Sequence, residues 1–544
     1  MKYIDFKILG ILIVTGVLIS SCNNFLKEQN YTSLSIETAK NDPQTFDQLV
    51  AYVYEISRET TTHYQPDMYY QLEDLGTDIV TRGGAVTGTS DLNDYVNLNS
   101  TNWTVHVYWG DQYKIIAAAN VAIENADKIE GLDSNAKAVG IGEAKFFRAM
   151  AYFNLVENFG GVPLVLNQVT TAETNYTRES EEAVYTQIVA DLNDALAAVP
   201  ENPSVYGRVS KDAVRHLLSK VLLTRGYKSF AASSDFTDAA SLAETVIANH
   251  PLVPSFANLV SIDNQRNSEV VFAYLFGSNS VSRGWGNSKH MMYKFRFYDY
   301  PGLSRTVQGL GPMPTPFYYS LFQDNDQRAD ATFSRVLYAT KADKTVFGGD
   351  TVNISIGDTA IYFPKVAWTD ARKESVPYKV INPDQYLKSD GITTVHYPMF
   401  RKFDDPSIPF IQPDQPVHGE RDMVIMRSGE AYLIAAEAYL EASNSTKAAQ
   451  LLTELRSRAG LTTHVAPGDV TLDFILDERA RELTGEVNRW MDLKRTGKLI
   501  ERTLAHNPHA ALNHALNETD LLRPIPQTEI DNSGGAITQN PGYE

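Results

Sequence analysis

Apolar residues recur at helical spacing along much of the chain. Between residues 143 and 159, Phe146, Met150, Phe153 and Glu157 share one side, with Phe147, Ala151 and Leu155 beside them. That spacing is close to 3.6 and predicts a helix with small residues at its contact face. Gly160-Gly161-Val162-Pro163 ends it with a permissive glycine and a following proline. Val184, Ile188, Leu192 and Leu196 predict a helix over 181–198, with Pro200 beyond it. Ser210 is the expected N-cap of another. There Val214, Leu217, Leu218, Val221 and Leu222 give the i, i+3, i+4, i+7, i+8 stripe of a half-buried helix. From 252 to about 420 the periodicity fades, and Gly, Pro, Asn and Asp become frequent. Within that stretch, residues 270–274 and 293–298 read as short strands or extended segments. So long an irregular region inside a compact protein is usually functional.

Two stretches pair helices in the tetratricopeptide manner. Residues 431–460 carry Ala435, Ala436 and Ala438 as contact residues, with Ser443-Asn444-Ser445 as the turn. The second runs from about Leu217 to Pro251, with Ala239, Ala243 and Val246 on its second helix. Small residues let neighbouring helices nest, so a stack buries one continuous core. The period is not a strict 34 residues. The expected fold is therefore mainly α: a tetratricopeptide-like helical-repeat scaffold with a large irregular, loop-rich lobe and a few short strands. The expected divisions are a leader over 1–21, a helical region over 22–251, the lobe over 252–420 and a second helical region over 421–544. Residues 22–544 are expected to form one compact unit.

The leader changes the picture of where the protein works. Lys2 and Lys7 precede a 12-residue apolar run over residues 8–19. The run is too short to span a bilayer and matches the apolar part of a secretory signal. It closes on Ile19-Ser20-Ser21-Cys22, which resembles the lipobox of bacterial lipoproteins, where the cysteine is lipidated. Cys22 is the single cysteine of 544 residues, so an internal disulfide and a thiolate zinc site are both excluded. The net charge of −18 argues against nucleic acid as a partner, since phosphate binding needs a basic surface. With 29 Tyr, 23 Phe and 5 Trp the chain can bury a large core.

Several segments together resemble the SusD/RagB family of Bacteroidetes surface lipoproteins. They are FFRAMAYFNLVENFGGVPL (146–164), RVSKDAVRHLLSKVLLTRG (208–226), MRSGEAYLIAAEAYLEA (426–442), ILDERARELTGEVNRWMDLKRTGKL (475–499) and LLRPIPQTEIDNSGGAITQNPGYE (521–544). Shorter matches are QLEDLGTDIV (71–80), YWGDQYKIIAAAN (108–120) and NDQR (325–328). The resemblance spans essentially the whole chain. It implies a mostly helical protein held by lipid on the outer face of the outer membrane. It implies a partner, a SusC-type TonB-dependent transporter that the protein caps, and an oligosaccharide ligand captured before import. It implies no catalytic residues; no cofactor is expected and no metal site is read in the residues, with calcium binding left open. Peptide capture of the RagB kind, and a transporter lid with no soluble ligand of its own, are the alternatives.

The charged segment 477–490 reads as structural. Asp477 and Arg481 are i,i+4, and Glu486 and Arg489 are i,i+3, the spacings of helix-face ion pairs worth about 0.2–0.5 kcal/mol each. Arg427 and Glu430 read the same way, and Asp326 and Arg328 as a structural turn. His506, His509 and His514 lie close in sequence but lack the spacing of a metal motif. Aromatic density is more informative. Residues 272–322 hold 13 aromatics, about a quarter of the segment. Extended backbone over 293–298 would put Tyr293 and Phe295 on one face, with Lys294 and Tyr298 on the other. A sugar ring offers apolar C–H faces and a belt of hydroxyls, so its site needs flat platforms plus a few amides and charged groups. Trp103, with Asn97, Asn99 and Asn102 close by, fits that need. Arg82 lies on the adjoining Gly-rich loop, and Trp285 stands between two glycines. The expected ligand face joins Trp103, Asn102 and Arg82 to Trp285, Tyr298 and Tyr300. For each aromatic, packing is the alternative role.

Overall fold

Most of the longer helices form where an apolar stripe coincides with a capping side chain. The main ones are α1 (Gln44–Thr61), α2 (Trp103–Asn125), α3 (Ser134–Phe159), α4 (Glu181–Ala198), α5 (Lys211–Arg225), α6 (Asp235–Asn249), α7 (Ser428–Glu441), α8 (Ser445–Arg458), α9 (Leu472–Leu483), α10 (Arg489–Arg495) and α11 (Leu499–His506). This computed structural model describes residues 39–61, 72–83, 90–171, 174–277, 286–295, 300–304, 312–391, 396–405 and 419–543. Cys22 and the leader, Trp285 and Tyr298 lie outside the described residues. Ser180, Ser210 and Asn444 each accept from a backbone N–H three residues on and so open α4, α5 and α8. α3 starts earlier than its apolar stripe, because Asp133 accepts from Asn135 N and Ala136 N at 2.9 Å. It ends at Gly160, whose φ of 73° a side chain would resist.

The helices pack in sequence as nested pairs: α3 against α4, α5 against α6, α6 against α7, and α7 against α8. The fold is mainly α and tetratricopeptide-like. Close approach has a local cause: a Cβ on Gly142 of α3 would stand 2.9 Å from that of Ala198 in α4. Phe146, Phe147, Tyr152, Leu155 and Phe159 of α3 are fully buried in the main core. Each contributes about 1.5–3 kcal/mol relative to exposure.

The strands are short and lie mostly between α6 and α7. They are β1 (Val80–Thr81), β2 (Val270–Tyr274), β3 (Met313–Pro314), β4 (Phe333–Ser334), β5 (Val336–Tyr338), β6 (Asp343–Phe347), β7 (Asp350–Ile354), β8 (Thr359–Tyr362), β9 (Lys379–Val380), β10 (Met399–Phe400) and β11 (Met423–Arg427). β2 pairs antiparallel with β11, which runs directly into α7, so this irregular stretch is tied to the scaffold at its base. β1 pairs with β3, Thr81 opposite Met313, and brings the N-terminal region to the same stretch. At Tyr293 the expected extended backbone is broken, and residues 296–298 lie outside the described residues. Tyr293 has φ of 58°, which turns the chain so that its ring stacks on Phe400 at 4.4 Å. Lys294, expected on an outer face, is buried and pairs with Asp404 at 2.6 Å.

The acidic and basic residues of 477–490 are structural, but their partners are not the local ones that the spacing suggested. Asp477 pairs with Arg502 rather than Arg481, and Arg489 grips Asp78 rather than Glu486. The buried face of α9 carries Glu478 and Glu482. Arg328 reaches them at 2.6 and 3.1 Å, Arg427 reaches Glu482 at 2.7 Å, and Arg456 reaches Glu478 at 2.8 Å. Arg458 also pairs with Glu482. Arg328 is held in turn by both oxygens of Asp326, at 2.9 and 2.8 Å, which is the expected turn built as a bidentate fork.

Burial by itself would raise the Glu482 carboxyl, but Arg458, Arg427 and Arg328 outweigh it and hold the group at about 2, against an ordinary 4.5. Glu486 is likewise held at about 2, with Arg427 and Lys402 overcoming its burial. Both values are depressed. The stability they supply is therefore present above about pH 4.5 and is lost as pH falls towards 2. Circular dichroism against pH is expected to show unfolding within that window. Arg328→Met, which leaves buried carboxylates short of a cation, is expected to cost roughly 3–5 kcal/mol in urea unfolding and to move the acid transition to higher pH.

Candidate functional site

The candidate ligand face begins at the turn after Leu75. Asp78 is buried and fixed by Arg489 at 2.9 and 2.7 Å and by Arg502 at 2.8 Å. These three groups clamp the turn to α10 and α11. Asn507 adds donors to the carbonyls of Thr77 and Val80, at 3.0 and 3.1 Å. With the turn held from both sides, β1 delivers Arg82 to a set place. The Arg82 backbone N–H donates to Asn93 Oδ1 at 3.1 Å, and its Nε donates to both oxygens of Asp94, at 3.0 and 3.1 Å. The guanidinium remains partly exposed.

From Asp94 the chain turns through Tyr95 and Asn97, both at positive φ, towards α2. Asn99 folds this link upon itself. Its Oδ1 accepts from Thr101 N at 2.9 Å and Thr101 Oγ1 at 2.6 Å, and its Nδ2 donates to Asn97 O. Asn102 is the N-cap of α2, and its Oδ1 accepts from Val105 N at 3.2 Å. Trp103 is the first residue of that helix and stands 62% exposed. Its ring lies 5.8 Å from that of His106, one turn on. The C-terminal segment braces this corner. Thr528 Oγ1 meets His106 Nδ1 at 3.0 Å, Gln527 N donates to Ser100 O at 2.9 Å, and Ser100 Oγ donates to Gln527 Oε1. Trp109 and Tyr113, further along α2, turn inward, and Tyr113 donates to Pro163 O at 2.9 Å.

Tyr300 sits in the irregular stretch. Its hydroxyl is 3.0 Å from His396 Nδ1, and the two rings meet edge to face at 5.0 Å. It packs at the margin of a small core formed by Phe295, Leu303, Met313, Phe363, Tyr386 and Tyr397. Met313 pairs with Thr81, the residue before Arg82, so the Arg82 turn and the Tyr300 cluster meet along the β1–β3 pair. The structure thus sets Asn102 beside Trp103 at one helix start, while Arg82 follows β1 and Tyr300 packs on the cluster that contains Met313 of β3. Trp285 and Tyr298 fall outside the described residues.

Asp94, His106, His396 and Thr528 belong to this face and were missed in the sequence. For His106 a signal existed, its i+3 position from Trp103; the others are distant in the chain. The C-terminal histidines have separate partners. His506 stacks on Phe317 at 3.7 Å, and His509 Nδ1 meets Thr81 Oγ1 at 2.7 Å. Among the described residues, no group of three His, Cys, Asp or Glu is placed to hold a metal ion. No helix among them is long and apolar enough to cross a membrane.

Fold and site together define a helical-repeat protein whose loops present groups suited to stacking and hydrogen bonding. The chain belongs to the SusD family, whose model matches residues 268–543. A second model, described as starch-binding and associating with the outer membrane, matches residues 24–223. Among curated relatives, SusD-like protein P2 of Formosa agariphila is 27% identical over 488 residues, 84% of this chain and 85% of that one. SusD-like protein P25 of the same organism is 24% identical over 91% of both chains. The fold is similar to that of a laminarin-binding SusD-like protein, with TM-score 0.69 and 24% identity over 92% of this chain and all of that chain. It is also similar to surface glycan-binding protein A from Bacteroides thetaiotaomicron in complex with laminarihexaose, with TM-score 0.68 and 18% identity over 91% and 99% of the two chains.

The cap at Asn102 sets how Trp103 is presented. Asn102→Ala is expected to lower unfolding free energy by about 1 kcal/mol, while Asn102→Asp, which keeps an acceptor, leaves it within a few tenths. Equal urea midpoints for the two variants would refute the capping role.

Proposed function

We propose that this protein is a cell-surface glycan-binding lipoprotein that captures oligosaccharide and caps a SusC-type TonB-dependent transporter for import. The observation that carries the reading is Trp103, a large flat ring held in solvent at a capped and braced helix start. A fixed, exposed indole offers a flat apolar face on which a sugar ring can stack. Arg82, partly exposed across the Asp94 turn, supplies donors for hydroxyls, and Asn102 is adjacent. Tyr300 extends the face on the irregular stretch, with Trp285 and Tyr298 as its further aromatics. Family membership supports a binding role without catalysis. So do the laminarin- and laminarihexaose-binding relatives in fold. The apolar run over 8–19 and Ser20-Ser21-Cys22 support a lipid anchor at Cys22 and an address on the outer face of the outer membrane.

The chain starting at Asn23 can be titrated calorimetrically with laminarin, starch, other neutral polysaccharides and peptide digests. One glycan class is expected to bind. Trp103→Ala is expected to weaken that binding about fivefold, since one stacking platform contributes about 1 kcal/mol. Binding of peptides alone would overturn the glycan reading. Cys22→Ser is expected to release the protein from the membrane fraction and to abolish labelling by a clickable fatty acid. Persistent labelling of that variant would refute the anchor.

A further inference from the structure

A cavity of about 60 Å³ lies where the irregular stretch meets β11. Lys289, Lys402, Arg421 and Arg427 line it, against Asp422 and Glu486. The chain as a whole carries −18, so this cavity reverses the sign of its surroundings. A concave basic site with low-dielectric walls concentrates anions. A space of this size holds a few waters, and so a carboxylate or a sulfate.

The internal partners leave part of the positive charge uncompensated. Glu486 is shared by Lys402 at 2.7 Å and Arg427 at 2.5 Å. Asp422 accepts from Phe276 N at 2.8 Å and faces Arg266 at 3.3 Å. Arg421 donates to the carbonyls of Asp404 and Val260, at 3.0 and 2.6 Å, and the carboxylates of Asp404, Asp405 and Glu486 act on its charge. Lys289 lies half-buried. Its Nζ stands 5.0 Å from the centroid of the Phe403 ring; among the described residues no carboxylate forms an ion pair with it, and Glu73 and Asp74 act on its charge from farther away. Lys402 Nζ is also 5.0 Å from that centroid. Two ammonium groups therefore flank one ring, with a buried guanidinium, Arg427, at the floor. Burial, the largest influence, lowers both Lys402 and Arg421, as expected for cations that water does not fully solvate.

We propose that this cavity binds the anionic substituent of a sugar, a uronate carboxylate or a sulfate ester, with Lys289 as the cation that meets it. The assignment to a sugar rests on the glycan-capture reading; the anion site itself rests on the cavity. A lysine is a compact point charge with three rotatable donors, and it accepts either oxyanion without the planar fit an arginine demands. Glu486 stays with Lys402 and Arg427, so an entering anion meets Lys289 without displacing an existing ion pair.

The test uses the chain starting at Asn23 and three probes: methyl glucuronide, glucose 6-sulfate and neutral glucose. Saturation-transfer NMR and calorimetry compare them on the parent, Lys289→Met and Lys289→Arg. At least one charged probe is expected to bind tenfold or more tightly than glucose, with the gap narrowing as salt rises. Lys289→Met is expected to abolish the gap and Lys289→Arg to retain most of it. The tighter of the two charged probes distinguishes uronate from sulfate. Equal binding of glucose and both charged probes by the parent overturns the proposal, and so does unchanged preference in Lys289→Met. The Lys289→Arg variant and the salt series decide the matter even if Lys289→Met does not fold. Neutral polysaccharide bound with no charged-probe preference overturns the anion site and leaves glycan capture standing. A charged-probe preference with no polysaccharide bound supports the site and overturns capture.

Discussion

Two glutamates on the inner face of α9 set the arrangement of everything around them. Glu478 and Glu482 are fully buried, where an unpaired carboxylate would be very unfavourable. Five arginines reach them: Arg481 from α9 itself, and four from elsewhere in the chain, Arg328 from the irregular stretch, Arg427 from the end of β11, Arg456 and Arg458 from α8. The network can close only if the helical pairs, the strand leading into α7 and the Asp326 turn all take their native places. Such a cluster is a poor source of net stability, since desolvation offsets much of its attraction. Its value here is in excluding other arrangements, because any displacement strands a charge.

A second buried knot extends the same logic to the N-terminal region. Asp78, held by Arg489 and Arg502, pins the turn that carries Arg82 against helices more than 400 residues away in sequence. Trp103 is steadied differently, by the Asn102 cap and by hydrogen bonds from the C-terminal segment. The candidate face is thus irregular in backbone yet fixed in position. That is what a site needs when it must present a flat ring without losing much freedom on binding.

Glu486 links the scaffold to the basic cavity. It lies just beyond α9 and is claimed by Arg427 and Lys402, so the charge network ends at the cavity wall. With that carboxylate engaged, Lys289 lines the space without an ion-pair partner among the described residues.

Local chemistry determined much of the architecture. Ser210 and the Ser443-Asn444-Ser445 turn, the stripes of α4 and α5, and the strand at 270–274 were all legible, because caps and periodicity act over a few residues. Family motifs carried the overall fold, and Trp103 stood out by composition and setting. Only the tertiary structure decided the rest. Asp477 and Arg489 looked like members of helix-face pairs, yet each found its partner in a distant segment. Tyr293 looked extended, yet packing against Phe400 took it to positive φ. Asp94, His396 and Thr528 gave no sign in the sequence of contacting Arg82, Tyr300 and His106. Periodicity and capping depend on neighbours in the chain, and the sequence states them directly. Charge pairing, ring stacking and the sign of a cavity depend on neighbours in space, and those exist only once the chain has folded.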